Sequence, residues 1–419
     1  MIRKMMKRHS LVTKLTALLL AVVMMAVCAG CSHLAGAEVL AEAEEIKGKN
    51  EAPDCSGFDK GYVPYALELL RKVRETTGGS TVISPLSVMY AVGMAENGAG
   101  GETLAEFEKL FGMKREDMNE FLSQMIAWSQ GEKYLTVSNS VWIKDDYAEN
   151  VRKEFLDLCA KKYYASVLKA PFDDSTIRDV NTWISDHTDK MILNMLDRLD
   201  ADTVMLLVNA ILFDQKWEKP FDKDATLKDE SFYDKDGNKL RAVDLMVGSE
   251  EGSYYRDELC TVVDKYYEDG LFSMRILVPE QGVGVDELMA ALTSEYWNKI
   301  GNYENRKRAK VTLQLPSFTS ETKCEALPVL QKMGVNLPFT PAADFSGITD
   351  PSELLISRII HQAKIEVSEE GTKAAAATIV EMTKAAAPME EEHIIVRADH
   401  PFVYTIDYCG IPVFLGTFE

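Results

Sequence analysis

The chain has 419 residues, 46% of them hydrophobic, and a formal net charge of −20, enough apolar side chain to bury a large core. Glycine and proline stand at ordinary levels, which excludes a fibrous or wholly disordered chain. So acidic a surface repels nucleic acid and anionic lipid headgroups, and neither is expected as a partner.

At the N-terminus, Arg3, Lys4, Lys7, Arg8 and Lys14 precede the apolar run Leu15–Val27. That run is too short to span a bilayer comfortably, so residues 1–30 read as a signal peptide. It ends in Cys28-Ala29-Gly30-Cys31, similar to a bacterial lipobox with Cys31 as the acylated residue, although Cys28 stands where leucine is usual. Ordinary cleavage after Gly30 or Ala37 is the alternative. Lipidation predicts a protein held at the cell surface through Cys31, touching the membrane by its anchor only. Residues 31–57 are rich in Ala, Glu, Gly and Lys and read as the acylated cysteine and a flexible tether. No linker or repeat interrupts residues 58–419, which read as one domain. Cys55, Cys159, Cys260, Cys324 and Cys409 are scattered, odd in number and without metal-ligand spacing, so no disulfide framework can be read.

Helical and strand patterns are mixed without regular alternation, which predicts an α+β fold. Tyr65–Leu70 opens a helix, and Ser87–Met94 continues as an apolar helix after a Ser-Pro start. Thr182–Leu196 reads as an amphipathic helix with Trp183, His187 and Met191 on one stripe. Strands are predicted at Thr136–Ile143, Val204–Phe213, Met274–Val278 and Val311–Leu315, the second buried on both faces. Asp236-Gly237 reads as a hairpin turn, not a calcium loop. Arg306, Lys307, Arg308 and Lys310 read as a solvated face. The C-terminus reads as two strands, Phe402–Ile406 and Val413–Gly416, around a Gly-Ile-Pro turn.

The informative stretch runs from Ile365 to Arg397. Its first part, Glu369-Glu370-Gly371-Thr372-Lys373-Ala374-Ala375-Ala376-Ala377-Thr378, is made of small or charged residues, and no large apolar side chain anchors it before Ile379. Such a segment is an exposed loop or a weak helix. Its parity allows a second reading. Positions 372, 374, 376, 378, 380 and 382 are Thr, Ala, Ala, Thr, Val and Met, all able to face a core, while every charge before Lys384 falls on the other face. Residues 372–383 could therefore form a central strand. Alanine is a poor strand former, so composition alone favours a helix turn or spacer at 374–377.

This hinge-like stretch resembles the start of the reactive-centre loop of inhibitory serpins. The resemblance runs from about residue 60 to the C-terminus, through Ile83-Ser84-Pro85-Leu86-Ser87, Gly98–Thr103, Leu207-Val208-Asn209-Ala210, Lys216-Trp217, Ala343–Ile348, His361-Gln362-Ala363 and Asp399-His400-Pro401-Phe402. It implies the serpin fold: about nine helices, about three β-sheets with a large central one, and an exposed loop over about 369–397. It also implies a suicide inhibitor, not an enzyme. A serine protease attacks the loop, and the cut loop inserts into the central sheet before the acyl-enzyme can hydrolyse. The resemblance makes residues 369–378 the hinge, with Gly371 permitting the backbone reversal. Ser84, Ser87, Asn209 and His361 would form a polar cluster under the opening sheet, and Trp217 would stand where insertion starts. Glu369 pairs with a lysine in many relatives, but the matching position here is Ser317.

Counting from Gly371 puts the scissile bond at Ala385-Ala386, with Lys384 or Ala386-Ala387 as alternative registers. A small residue suits an elastase-like protease; Lys384 would suit a trypsin-like or subtilisin-like one. The expected partner is a serine protease in a covalent 1:1 complex with a monomeric inhibitor, and no cofactor is implied. A non-inhibitory serpin-fold binding protein is the alternative, and the alanine-rich hinge argues against it. A hydrolase is disfavoured because no Gly-x-Ser-x-Gly elbow or zinc helix occurs, and Ser320-Glu321-Thr322-Lys323 reads as a surface turn.

Overall fold

The structure, a computed structural model, describes residues 34–46, 51–132, 135–350, 354–372 and 392–419. Among these residues nine α-helices occur: α1 (Phe58–Thr77), α2 (Pro85–Glu96), α3 (Gly101–Phe111), α4 (Arg115–Glu132), α5 (Lys153–Lys162), α6 (Asp174–His187), α7 (Val285–Ala291), α8 (Ser294–Gly301) and α9 (Leu327–Lys332). The strands are β1 (Glu38–Ala41), β2 (Thr81–Ile83), β3 (Leu135–Lys144), β4 (Ala165–Ala170), β5 (Met205–Phe213), β6 (Gln215–Lys216), β7 (Leu227–Tyr233), β8 (Lys239–Arg256) and β9 (Cys260–Tyr266). They continue with β10 (Phe272–Pro279), β11 (Lys307–Pro316), β12 (Phe318–Glu325), β13 (Ile360–Val367), β14 (Gly371–Thr372), β15 (His393–Arg397), β16 (Phe402–Tyr408) and β17 (Ile411–Phe418).

The strands form three sheets. The largest has the order β15-β11-β8-β9-β10-β16-β17-β2, with β7 on β8. The other two are four-stranded, β1-β4-β3-β5 and β12-β13-β14-β6. Because β6 follows β5 after one residue, Asp214, these two are halves of one surface joined at its head. Below the head, among the described residues, β13 pairs only with β12 and β14, and β5 pairs only with β3.

Both halves are fixed by burial. Alternation places His361, Ala363, Ile365 and Val367 of β13 inside, while their neighbours are half-exposed. In β5, Leu206, Val208 and Ala210 join a small apolar cluster with Trp142 and Trp183, while Leu207, Ile211 and Phe213 face the main core. A strand shared by two cores reads as continuous apolar sequence. Helix α2 fits its sequence signals: Pro85 opens it, and Ser84 Oγ accepts a hydrogen bond from the Ser87 N–H.

Several expectations are corrected. The helix expected at Thr182–Leu196 is α6, Asp174–His187, and it stops where Asp189 and Lys190 take positive φ of 46° and 62°. Met191, expected on the Trp183 stripe, lies beyond the helix end, and Ile192 and Leu196 bury from irregular chain in the apolar cluster that holds Trp183. Within the tether, Glu38–Ala41 form β1 on the edge of β4, and Asp179 accepts the N–H groups of Ala35 and Gly36 at 2.9 Å each. Arg306 leaves the solvated face to pair with buried Asp264 at 2.5 Å, whereas Lys307, Arg308 and Lys310 are exposed. Ser320 is buried in β12 and lies on no surface turn. The last hairpin turns at Cys409-Gly410, and Ile411 and Pro412 already belong to β17. No described helix is long and apolar enough to cross a membrane.

Candidate functional site

The site lies at the head of the split surface, where β13 ends and the chain doubles back. Ser368 and Gly371 close a tight turn: the Ser368 N–H and hydroxyl donate to the Gly371 carbonyl at 2.9 and 3.1 Å. Gly371 and Thr372 then run as β14 between β13 and β6, antiparallel to both. Val367 faces Thr372 on one side; Lys216 faces Gly371 and Gln215 faces Thr372 on the other.

Three successive carbonyls of the turn are held from one neighbourhood. The Trp217 indole N–H donates to the Ser368 carbonyl at 2.9 Å, the Phe221 N–H to Glu369 at 2.9 Å, and the Trp217 N–H to Glu370 at 3.0 Å. The two acidic side chains are held as well, Glu369 by the Thr226 hydroxyl at 3.0 Å and Glu370 by the Lys223 ammonium at 2.5 Å. Glu369 thus takes its hydrogen bond from Thr226, not from Ser317, whose N–H donates to the Asp244 carbonyl.

Thr372 is fully buried, and its hydroxyl meets the Tyr267 hydroxyl at 2.7 Å. Tyr267 stacks on Trp217 with centroids 4.5 Å apart, and Phe221 meets Trp217 edge-on. Lys265 lies over the Phe221 ring, donates to the Lys219 carbonyl at 2.8 Å and pairs with Glu250 at 3.2 Å. Burial pushes the Lys265 pKa down, against the pull of Glu250. Gly371 has no positive φ; a Cβ there would sit 2.2 Å from the Gln215 carbonyl oxygen. In this conformation, close approach of two backbones requires glycine at position 371.

The expected polar cluster divides in two. The Ser84 N–H donates to His361 Nε2 at 3.2 Å and the Ser84 hydroxyl to the Val413 carbonyl at 2.9 Å, with Ser87 bonded to Ser84. Desolvation lowers the His361 pKa to about 4, so the ring is neutral, and its Nε2 accepts. Asn209 stands on β5, donating to Asn139 Oδ1 at 2.8 Å, while its own Oδ1 is a buried acceptor without a hydrogen-bond partner among the described residues. Lys373, Ala374, Ala375, Ala376, Ala377, Thr378, Lys384, Ala385, Ala386 and Ala387 lie outside the described residues, as does Cys31.

Tyr267, Thr226, Lys223 and Lys265 were not singled out from sequence. Each carries a common residue in an ordinary strand or turn, and only the fold brings it to the hinge.

The model of the serpin family, serine protease inhibitor, matches residues 62–419. A serine protease inhibitor from Cyanea capillata is 32% identical over 343 residues, 78% of this chain and 88% of the relative. Iripin-8 from Ixodes ricinus is 30% identical over 355 residues, 81% of this chain and 87% of the relative. The crystal structure of the thermophilic serpin tengpin in its native state matches with a TM-score of 0.77 at 32% identity, covering 91% of this chain and 99% of tengpin. The chain belongs to the serpin family, whose members are generally protease inhibitors.

Proposed function

We propose that this serpin is a suicide inhibitor that traps a serine protease as its acyl-enzyme, residues 372–383 inserting between β13 and β5 once the loop is cut. The observation that carries the reading is β14, two residues of an antiparallel strand already seated at the head of that seam. Carried on in the same register, position 374 would fall between Ile365 and Phe213, position 376 between Ala363 and Ile211, and position 378 between His361 and Asn209. The sequence supplies Ala, Ala and Thr there, small residues beside inward-facing neighbours. Position 382 would meet Met205, the first residue of β5, so the strand matches β5 in length. At a net ~1 kcal/mol per hydrogen bond, about a dozen new bonds supply on the order of 10 kcal/mol.

The reacting bond is Ala385-Ala386, and its small side chains favour an elastase-like target. Acylated Cys31 holds the inhibitor at the cell surface. The test incubates the chain with elastase, trypsin and a subtilisin-type protease, followed by denaturing gels and mass analysis. A complex that survives boiling, with a released peptide starting at Ala386, is expected with elastase. A peptide starting at Ala385 from a trypsin complex would move the bond to Lys384. Clean cleavage without complex by all three would leave a serpin fold used for binding.

A further inference from the structure

The residues that follow β6, Trp217–Phe221, hold the hinge turn by their two ends: Trp217 donates from its backbone and its indole, and Phe221 from its backbone. Between those ends Glu218, Lys219 and Pro220 are exposed, and Pro220 has no N–H with which to be tied down. The Glu218 N–H donates to the Tyr266 carbonyl at 3.0 Å, which fixes the Trp217 end. Toward the Phe221 end the loop meets a side chain from another strand, Lys265 of β9. Its ammonium donates to the Lys219 carbonyl at 2.8 Å and lies 4.5 Å from the centre of the Phe221 ring and 5.6 Å from that of Trp217. Strand β8 completes the seat. One oxygen of Glu250 stands 3.2 Å from the Lys265 ammonium, and the other stands 3.8 Å from the Lys219 ammonium. Gly248 leaves room for the Phe221 ring, since a Cβ there would stand 3.0 Å from the ring's Cδ1. The Lys265 side chain is 4% exposed. A buried ammonium is costly unless it is paired and hydrogen-bonded, so the carbonyl, the carboxylate and the ring faces are all needed to keep it there.

We propose that Lys265 is a positioning residue for the hinge. By holding the Lys219 carbonyl and the Phe221 ring at one point, it sets the loop shape in which Trp217 and Phe221 present their N–H groups to the carbonyls of residues 368–370. That grip keeps Gly371 and Thr372 seated as β14. An ammonium suits the task because its hydrogen bond to a carbonyl is charge-assisted and its attraction to a ring face needs no fixed donor direction. A methionine of similar length fills the space and supplies neither. Without the cation the loop keeps its Trp217 end and loses its Phe221 end, so the Glu369 carbonyl is freed first. The consequence for inhibition rests on the trapping mechanism proposed above: with the hinge unseated, the acyl-enzyme hydrolyses before insertion begins, and the protein is consumed as a substrate.

The test compares amide hydrogen exchange in the full-length wild type, K265M and K265R with no protease present. In K265M the Phe221 amide should exchange at least about tenfold faster, as the loss of one charge-assisted bond predicts, while the amides of β10 keep their rates. K265R restores a cation and its donors and should return the amide toward its wild-type rate. F221L removes the ring and leaves the N–H, so its residue-221 amide should also exchange faster; it decides the matter if K265M loosens β10 as well. The second readout is the yield of boiling-stable complex with elastase. K265M should be cut at the wild-type rate with a trapped fraction several-fold lower, and K265R should recover it. An unchanged residue-221 amide in F221L, or in a K265M with wild-type β10 rates, overturns the proposal. So does an unchanged trapped fraction in K265M, or a K265R that recovers neither readout. If the wild type itself traps no elastase, the trapping mechanism fails for that protease, and the exchange rates still decide whether Lys265 positions the hinge.

Discussion

Thr372 shows how much one side chain can decide. It is completely buried and closed over by Tyr267, whose ring stacks on Trp217. In T372R a guanidinium would enter that space with no carboxylate to meet it, and breaking the match costs about 3 kcal/mol or more. The variant should be cut at an unchanged rate while the fraction trapped falls roughly 100-fold; a normal yield of boiling-stable complex would contradict the hinge assignment. His361 offers a different readout. Its folded-state pKa of about 4 lies below the ordinary 6.5, so the unfolded chain takes up the proton first. Stability is full above pH 6.5 and falls as the pH drops toward 4, by up to about 3 kcal/mol. Burial raises Glu96 to about 8 and Asp407 to about 6, and these contribute with the opposite sign, present in acid and lost as the pH rises. The native protein alone therefore shows a blend. H361Q keeps an acceptor for the Ser84 N–H and cannot titrate, so urea midpoints of the two proteins should diverge between pH 6.5 and 4, the variant gaining on the wild type in acid. Parallel curves would mean that His361 is not titrating from a dry site.

At the scale of elements, β1 makes the next prediction. Its segment is tied down by Asp179, which accepts two backbone N–H groups and is itself buried. Hydrogen bonds to a charged acceptor are worth about 1.5–3 kcal/mol, so D179A should speed limited proteolysis within residues 34–46 at least about tenfold. An unchanged nicking rate would show that β1 holds without its carboxylate clamp. The same strand marks what the sequence could convey. β3, β5, β10 and β11 were legible because alternation or a continuous apolar run records which faces are covered. Helix α2 was legible because its start signals are local. Glu38–Ala41 has only an alternating half-buried pattern, and what makes it a strand is the free edge of β4, encoded more than a hundred residues away. The same holds at Gly371, where sequence shows a flexible residue but not the Gln215 carbonyl pressed against it. Ile192 and Leu196 kept helical spacing although the helix had ended, since burial of an apolar side chain does not require the helix that usually delivers it.

The whole molecule is organised around one seam. β5 and β13 are each anchored in buried apolar clusters, yet between them only Gly371 and Thr372 are paired among the described residues. If the proposed insertion holds, a chain with that geometry would have a more stable arrangement within reach, because a strand matched in parity could close the seam. The hinge turn, gripped at three carbonyls by Trp217 and Phe221, stands at the point where that closure would begin. Cutting the loop with no protease left attached should let it proceed. About 10 kcal/mol of added pairing, spread over the unfolding entropy of a domain of this size, raises the unfolding temperature by roughly 10–15 °C. Calorimetry of intact and cleaved protein at one scan rate measures the difference, since unfolding of so large a domain is a rate as much as an equilibrium. T372R, cut in the same way, should show little of the increase because its strand cannot seat. If the cleaved wild type melted where the intact protein does, the seam would be a fixed feature of a stable fold, and the trapping mechanism would lose its source of free energy.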